Sequence, residues 1–196
     1  MRTALLTAGS AVLLLAGPAL AGDTGYPVVP QTYDPGHLGT ITARWETHVG
    51  LPDAGGSDHA LHLAKAGALT DNAAAVAKLE QVAGTVVPQT VSFKIPADGP
   101  DSYCGAGAPR WNITTSDGVT HFLGCSSADK SGAGTDRRGQ DWQLLTWDTT
   151  DPTQAFPPVL PGSTAASVRI VADEVGSTLI DDISYIRTMG KPGNGE

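Results

Sequence analysis

Thr178-Leu179-Ile180-Asp181-Asp182-Ile183-Ser184-Tyr185-Ile186 alternates closely enough to be a β-strand, yet two carboxylates stand side by side at its centre. Successive side chains of a strand point to opposite faces, so one of the pair is expected to face inward. A carboxylate withdrawn from water needs a cation or several donors in its place. The stretch therefore reads as the closing strand of a β-sandwich and hints at a bound metal ion.

Working outward, the chain shows further short alternating runs at 41–47, 59–65, 90–95, 111–115, 119–123, 142–147 and 167–173, punctuated by Gly, Pro, Asp and Ser. Such a series implies an all-β, antiparallel β-sandwich. Residues 71–83 are Ala-rich and Asp71 could cap a helix, but Ala77, Leu79 and Gln81 alternate with Val76, Lys78 and Glu80, which favours a strand over 75–81. Residues 22–39 read as an extended lead-in and 189–196 as a flexible tail, so the sandwich domain spans 40–188. The stretch 126–140, SSADKSGAGTDRRGQ, has almost no apolar side chain and reads as a mobile loop.

Asp117-Gly118 between two alternating runs is a two-residue hairpin signal. It places Thr115 opposite Thr120, Thr114 opposite His121 and Ile113 opposite Phe122. Trp111, Ile113, Thr115, Thr120 and Phe122 then share the core face, while Arg110, Asn112, Thr114 and His121 share the other.

Arg2, the apolar stretch from Ala11 to Ala16 and the small residues up to Ala21 read as a signal peptide over 1–21. The mature chain is expected to be secreted, with no membrane insertion, since no stretch reaches the roughly 20 apolar residues a spanning helix needs. Arg2 is the sole charged residue of the leader, which leaves 11 basic against 20 acidic side chains, a net charge of −9. Such a surface repels polyphosphate and excludes nucleic acid as a natural partner. Oligomeric state is not legible. Two cysteines in an exported chain, Cys104 and Cys125, read as one disulfide, worth about 3 kcal/mol through restriction of the unfolded state.

The alternating strand after Gly56-Ser57-Asp58, the Trp-led run Trp142-Gln143-Leu144-Leu145-Thr146-Trp147, and the closing pair of strands ending in Ile180-Asp181-Asp182-Ile183 resemble carbohydrate-binding-module jelly rolls and galactose-binding-like domains. The resemblance implies a jelly-roll sandwich with a glycan or polysaccharide partner and a structural calcium ion. Its ligand counterparts are Asp181 or Asp182, Glu46 or Asp34, and oxygens around Ser57 and Asp58, chemistry suited to calcium. Sugar recognition in such folds uses a stacking ring beside hydrogen-bond donors, which nominates Trp147, Arg110, Asn112 and His121. Trp142 and Trp147 fall on opposite faces of their strand, so one ring could be exposed.

Catalytic signatures are sparse. No Gly-x-Ser-x-Gly elbow occurs, and His59-Ala60-Leu61-His62 lacks the spacing of a helical zinc site. The leading expectation is a non-catalytic carbohydrate-binding-like module. The alternatives are an extracellular protein-interaction domain on the same fold and a polysaccharide hydrolase or lyase.

Overall fold

In the computed structural model the described residues are 26–52, 58–105 and 107–186, with the backbone alone at 188–189. The expected signal peptide and most of the expected tail lie outside them. Among the described residues twelve strands run in chain order: β1 (Val28–Tyr33), β2 (Ile41–Thr47), β3 (His59–Lys65), β4 (Ala74–Leu79), β5 (Thr90–Pro96), β6 (Arg110–Thr115), β7 (Thr120–Gly124), β8 (Asp129–Thr135), β9 (Asp141–Asp148), β10 (Ala165–Ala172), β11 (Gly176–Ser184) and β12 (Thr188–Met189). The smaller sheet has the order β1-β4-β10-β6-β7, the larger β2-β3-β11-β5-β9-β8 with β12 added to β11. All pairings are antiparallel. The molecule is the all-β sandwich the alternation implied, and Cys104 and Cys125 are bonded.

The inward phases of the two sheets meet in one apolar core. Leu61 and Leu63 of β3, Val91, Phe93 and Ile95 of β5, Trp111 and Ile113 of β6, Trp147 of β9 and Ile180 of β11 are all fully buried there. The rings of Phe93 and Trp147 lie 4.9 Å apart and those of Phe93 and Trp111 5.8 Å apart. Aromatic pairs at these separations add to the area they bury.

Five local expectations need correction. The lead-in 22–39 contains β1, an edge strand in which Pro30 is tolerated because one side of an edge makes no ladder hydrogen bonds. The stretch 126–140 contains β8, the opposite edge of the larger sheet, whose Gly and charged composition suits an edge rather than a loop. Around 71–83 the strand is β4, and it stops at Leu79, shortly before Gln81 takes a φ of 62°.

The β6–β7 hairpin is displaced by one residue from the expected register. Thr115 N–H donates to the Val119 carbonyl at 2.9 Å, so the loop is Ser116-Asp117-Gly118, three residues long with Gly118 at φ 86°. Ile113 therefore faces His121 and Asn112 faces Phe122. A one-residue slip exchanges the faces of a whole strand. His121 and Leu123 point inward, and Phe122 is exposed.

In β11 neither carboxylate of the central pair enters the inter-sheet core. The register on β5 passes from Asp181 opposite Lys94 to Ser184 opposite Ser92, one residue too many, and Asp182 sits in the bulge at φ 44°. Ile180 and Ile183 consequently both face the core, although they are three residues apart. Asp181 is still buried, but on the sheet's outer side, beneath the segment Val49–Leu51.

Candidate functional site

The residues nominated for ligand binding separate into two kinds. Trp147 is fully buried between the sheets, its indole N–H donating to the Gly124 carbonyl at 2.9 Å, so it has no ring face to stack on a sugar. Trp142 does face the other way, and it too is buried, in a small cluster with Leu51, Ala60 and Leu179. His121 lies inside because of the register, with Nδ1–H donating to the Pro157 carbonyl at 2.7 Å and Nε2 3.1 Å from the Thr115 hydroxyl. Arg110 and Asn112 keep their outward position. The Arg110 guanidinium binds Asp173 through two N–H donors at 2.6 Å each, donates from Nε to Asn112 at 3.0 Å, and sits 5.9 Å above the Phe122 ring. This hydrogen bonding holds the Asp173 carboxyl below its ordinary range despite its burial.

The five carboxylates nominated for calcium have separate partners. Asp181 accepts the amides of Leu51 and Asp182, each at 2.7 Å. Asp182 pairs with Lys94. Burial raises the Glu46 carboxyl, but hydrogen bonds from His62 and Arg44 outweigh it and leave the group below its usual value. Asp58 meets Arg137 at 3.3 Å through Oδ2, while its Oδ1 is buried with no hydrogen-bond partner among the described residues. Asp34 accepts the amides of Leu38 and Gly39. Among the described residues no three His, Cys, Asp or Glu side chains form a metal-holding group, and Ser57 lies outside those residues.

A more concave arrangement exists at one end of the sandwich, where β1 and β10 finish, β3 gives way to the 66–73 connection and β4 begins. A cleft of about 460 Å³ is lined by Tyr33, Lys65, Leu69, Asp71, Asn72 and Asp173, among others. Lys65 ends β3 on the same face as Leu61 and Leu63 and is only 2% exposed. A buried ammonium needs acceptors, and it donates to the Asp71 carbonyl at 2.7 Å and the Asp173 carbonyl at 3.0 Å. Tyr33, half-exposed, closes β1 opposite Ala74 and receives a 3.4 Å hydrogen bond from Asn72 at its hydroxyl. Asp173 belongs both to this cleft and to the Arg110 pair.

Neither Tyr33 nor Lys65 was nominated by sequence. Tyr33 was hidden in the segment taken as lead-in. Lys65 carried a usable signal, since a lysine in the apolar phase of His59-Ala60-Leu61-His62-Leu63-Ala64-Lys65 must find acceptors at the rim of the core.

Among the described residues no helix is long and apolar enough to cross a membrane. No protein-family profile matches the chain, and no curated protein matches it either. One solved structure is similar, the enzymatically active domain of bacteriophage CBA120 tailspike protein 4, at 12% identity and a TM-score of 0.37; the match covers 85% of this chain and 20% of that one. The chain thus spans about a fifth of that protein. A likeness of this order leaves the site to be read from its own residues.

Proposed function

We propose that the chain is a carbohydrate-binding β-sandwich module of the galactose-binding-like kind, acting outside the cytoplasm and taking its glycan in the end cleft. The observation that carries this reading is the half-exposed Tyr33 ring on the wall of a cleft that also holds Asn72, Lys65, Asp71 and Asp173. A sugar offers apolar C–H faces and a ring of hydroxyls. An aromatic side chain meets the first, while an amide and carboxylates meet the second. The acidic surface and the disulfide agree with an extracellular setting.

Binding to a panel of neutral polysaccharides and a glycan array tests it. Tyr33→Ala should weaken binding about tenfold, the equivalent of the roughly 1.4 kcal/mol an aromatic contact supplies, with the melting temperature unchanged. Absence of binding, or binding indifferent to Tyr33, would remove the cleft from the account.

The calcium proposal narrows to Asp58, because its buried Oδ1 has an oxygen still seeking a positive partner. The other carboxylates nominated with it are held by backbone amides or by Lys94, Arg44 and His62.

A further inference from the structure

The outer face of the larger sheet carries a chain of hydrogen bonds that the carbohydrate reading does not use. In the β2–β3 register Arg44 lies opposite His62, and in the β3–β11 register His62 lies opposite Leu179. Glu46 and Ser177 are thus the diagonal neighbours of His62 on either side, within reach of a long side chain. His62 Nδ1 is 2.7 Å from Glu46 Oε1, and His62 Nε2 is 2.7 Å from Ser177 Oγ. Ser177 Oγ also donates to Asp101 Oδ1 at 2.6 Å. Asp101 is brought there by a short extra pairing on the far edge of β11, in which Tyr103 N–H donates to the Ser177 carbonyl and Leu179 N–H to the Asp101 carbonyl, both at 2.9 Å. Gly176, just before Ser177, permits this approach, since a Cβ there would collide with the Tyr103 ring. Asp101 in turn lines a cleft of about 270 Å³ with Pro96, Arg138, Gln140 and Leu179. The His62 and Glu46 side chains remain 17% and 25% exposed.

We propose that Ser177, His62 and Glu46 act as nucleophile, general base and positioning carboxylate in the hydrolysis of small acyl esters that enter from the Asp101–Arg138 cleft. A carboxylate accepts only, so Glu46 holds a proton on His62 Nδ1, and the Nε2 lone pair of neutral His62 can take the Ser177 proton once that hydroxyl turns away from Asp101. Such a triad is recognised by geometry and roles, not by its place in the sequence, and an elbow turn is not required. Ser177 Oγ forms a bond to the acyl carbon while its proton passes to His62 Nε2. The ester C–O bond then breaks, and the leaving alkoxide takes that proton. Water repeats the sequence on the acyl-enzyme: its proton goes to Nε2, its oxygen bonds to the acyl carbon, the carbon–Oγ bond breaks and Ser177 recovers the proton. Ester and water become acid and alcohol, with no change of oxidation state. Asp101 competes with His62 as acceptor for the Ser177 hydroxyl, so it restrains the nucleophile.

The test uses the folded, oxidised chain and a fluorophosphonate probe. One label per molecule is expected, at Ser177, absent from heat-denatured protein and from Ser177→Ala. His62→Ala, with His62→Gln as a second variant should the first melt early, should slow labelling about 10²-fold, the usual share of a general base. Glu46→Gln should slow it and move the midpoint of its pH profile, a readout that a purely structural role leaves in place. Asp101→Asn should speed it. Hydrolysis of p-nitrophenyl acetate should follow the same order. No label on the native protein, a label elsewhere, or a rate indifferent to His62 would overturn the proposal; slower labelling in Asp101→Asn would overturn the role given to Asp101. The end cleft and this site share no lining residue, so Ser177→Ala should leave glycan binding untouched, and either reading can fail alone.

Discussion

Trp147 and Trp142 belong to the same strand and are equally hidden from water, but different things hide them. Trp147 is closed between two sheets and touches a core of aliphatic and aromatic side chains. Trp142 faces away from that core and is covered by loops: Leu51 packs on it, and its indole N–H lies 3.3 Å from Asp136. The loops are tied down by polar contacts, with Leu51 N–H on Asp181, Arg138 on Asp136 and on the Val49 carbonyl, and Arg137 on Asp58. The inner layer is held by excluded water and the outer by hydrogen bonds and ion pairs. Burial alone does not tell the two apart, but their response to mutation, ions and acid will.

The largest contrast should come from truncating the two tryptophans. Trp147→Ala is expected to cost about 5 kcal/mol, the upper part of the range for a large core side chain, since two sheets cannot close on the gap. Trp142→Ala should cost roughly half as much, because a loop can relax into the space it leaves. Urea denaturation of both variants checks this, and equal losses would erase the distinction between layers. Next in size is calcium. If an ion completes the Asp58 environment, a tenfold excess over its dissociation constant adds about 1.4 kcal/mol and raises the melting temperature by a few degrees, an effect that Asp58→Asn abolishes. A melting curve indifferent to calcium and to chelator would leave the outer layer to its side chains alone.

The smallest effect should come from acid. Burial raises the Asp136 carboxyl, yet hydrogen bonds from the Arg138 side chain, the amides of Gln140 and Arg138, and Trp142 outweigh it, so its folded value lies below the ordinary 3.8. A depressed carboxyl contributes stability that is complete above the unfolded value and disappears as pH falls through the folded one. Between pH 5 and pH 2 the melting temperature of Asp136→Asn should therefore fall less steeply than that of the parent chain. Parallel curves would show that this carboxylate does not secure the loops over Trp142.

What could be read beforehand follows the same division. β2 and β3 run over 41–47 and 59–65 as expected because strict alternation faces a buried layer on one side. The edge strands β1 and β8 were missed because their Pro, Gly and charges look like loop, whereas β2, also an edge, keeps its alternation. Asp117-Gly118 announced a hairpin but not its loop length, and that one residue moved His121 inside and Phe122 outside. The three-residue spacing of Ile180 and Ile183 marks the bulge at Asp181-Asp182, but reading the strand as unbroken alternation put a carboxylate in the core. Arg110 and Asn112 were placed correctly on an outer face, whereas the meeting of Glu46, His62 and Ser177 depends on β11 lying beside β3 from more than a hundred residues away.

The collision that a methyl group at position 176 would make with Tyr103 reaches beyond local packing. It ties two distant positions into one choice, so that a lineage keeping the large phenol at 103 must keep hydrogen as the side chain at 176. When diverged relatives are gathered, this coupled pair is a marker of shared descent that overall resemblance at low identity would miss.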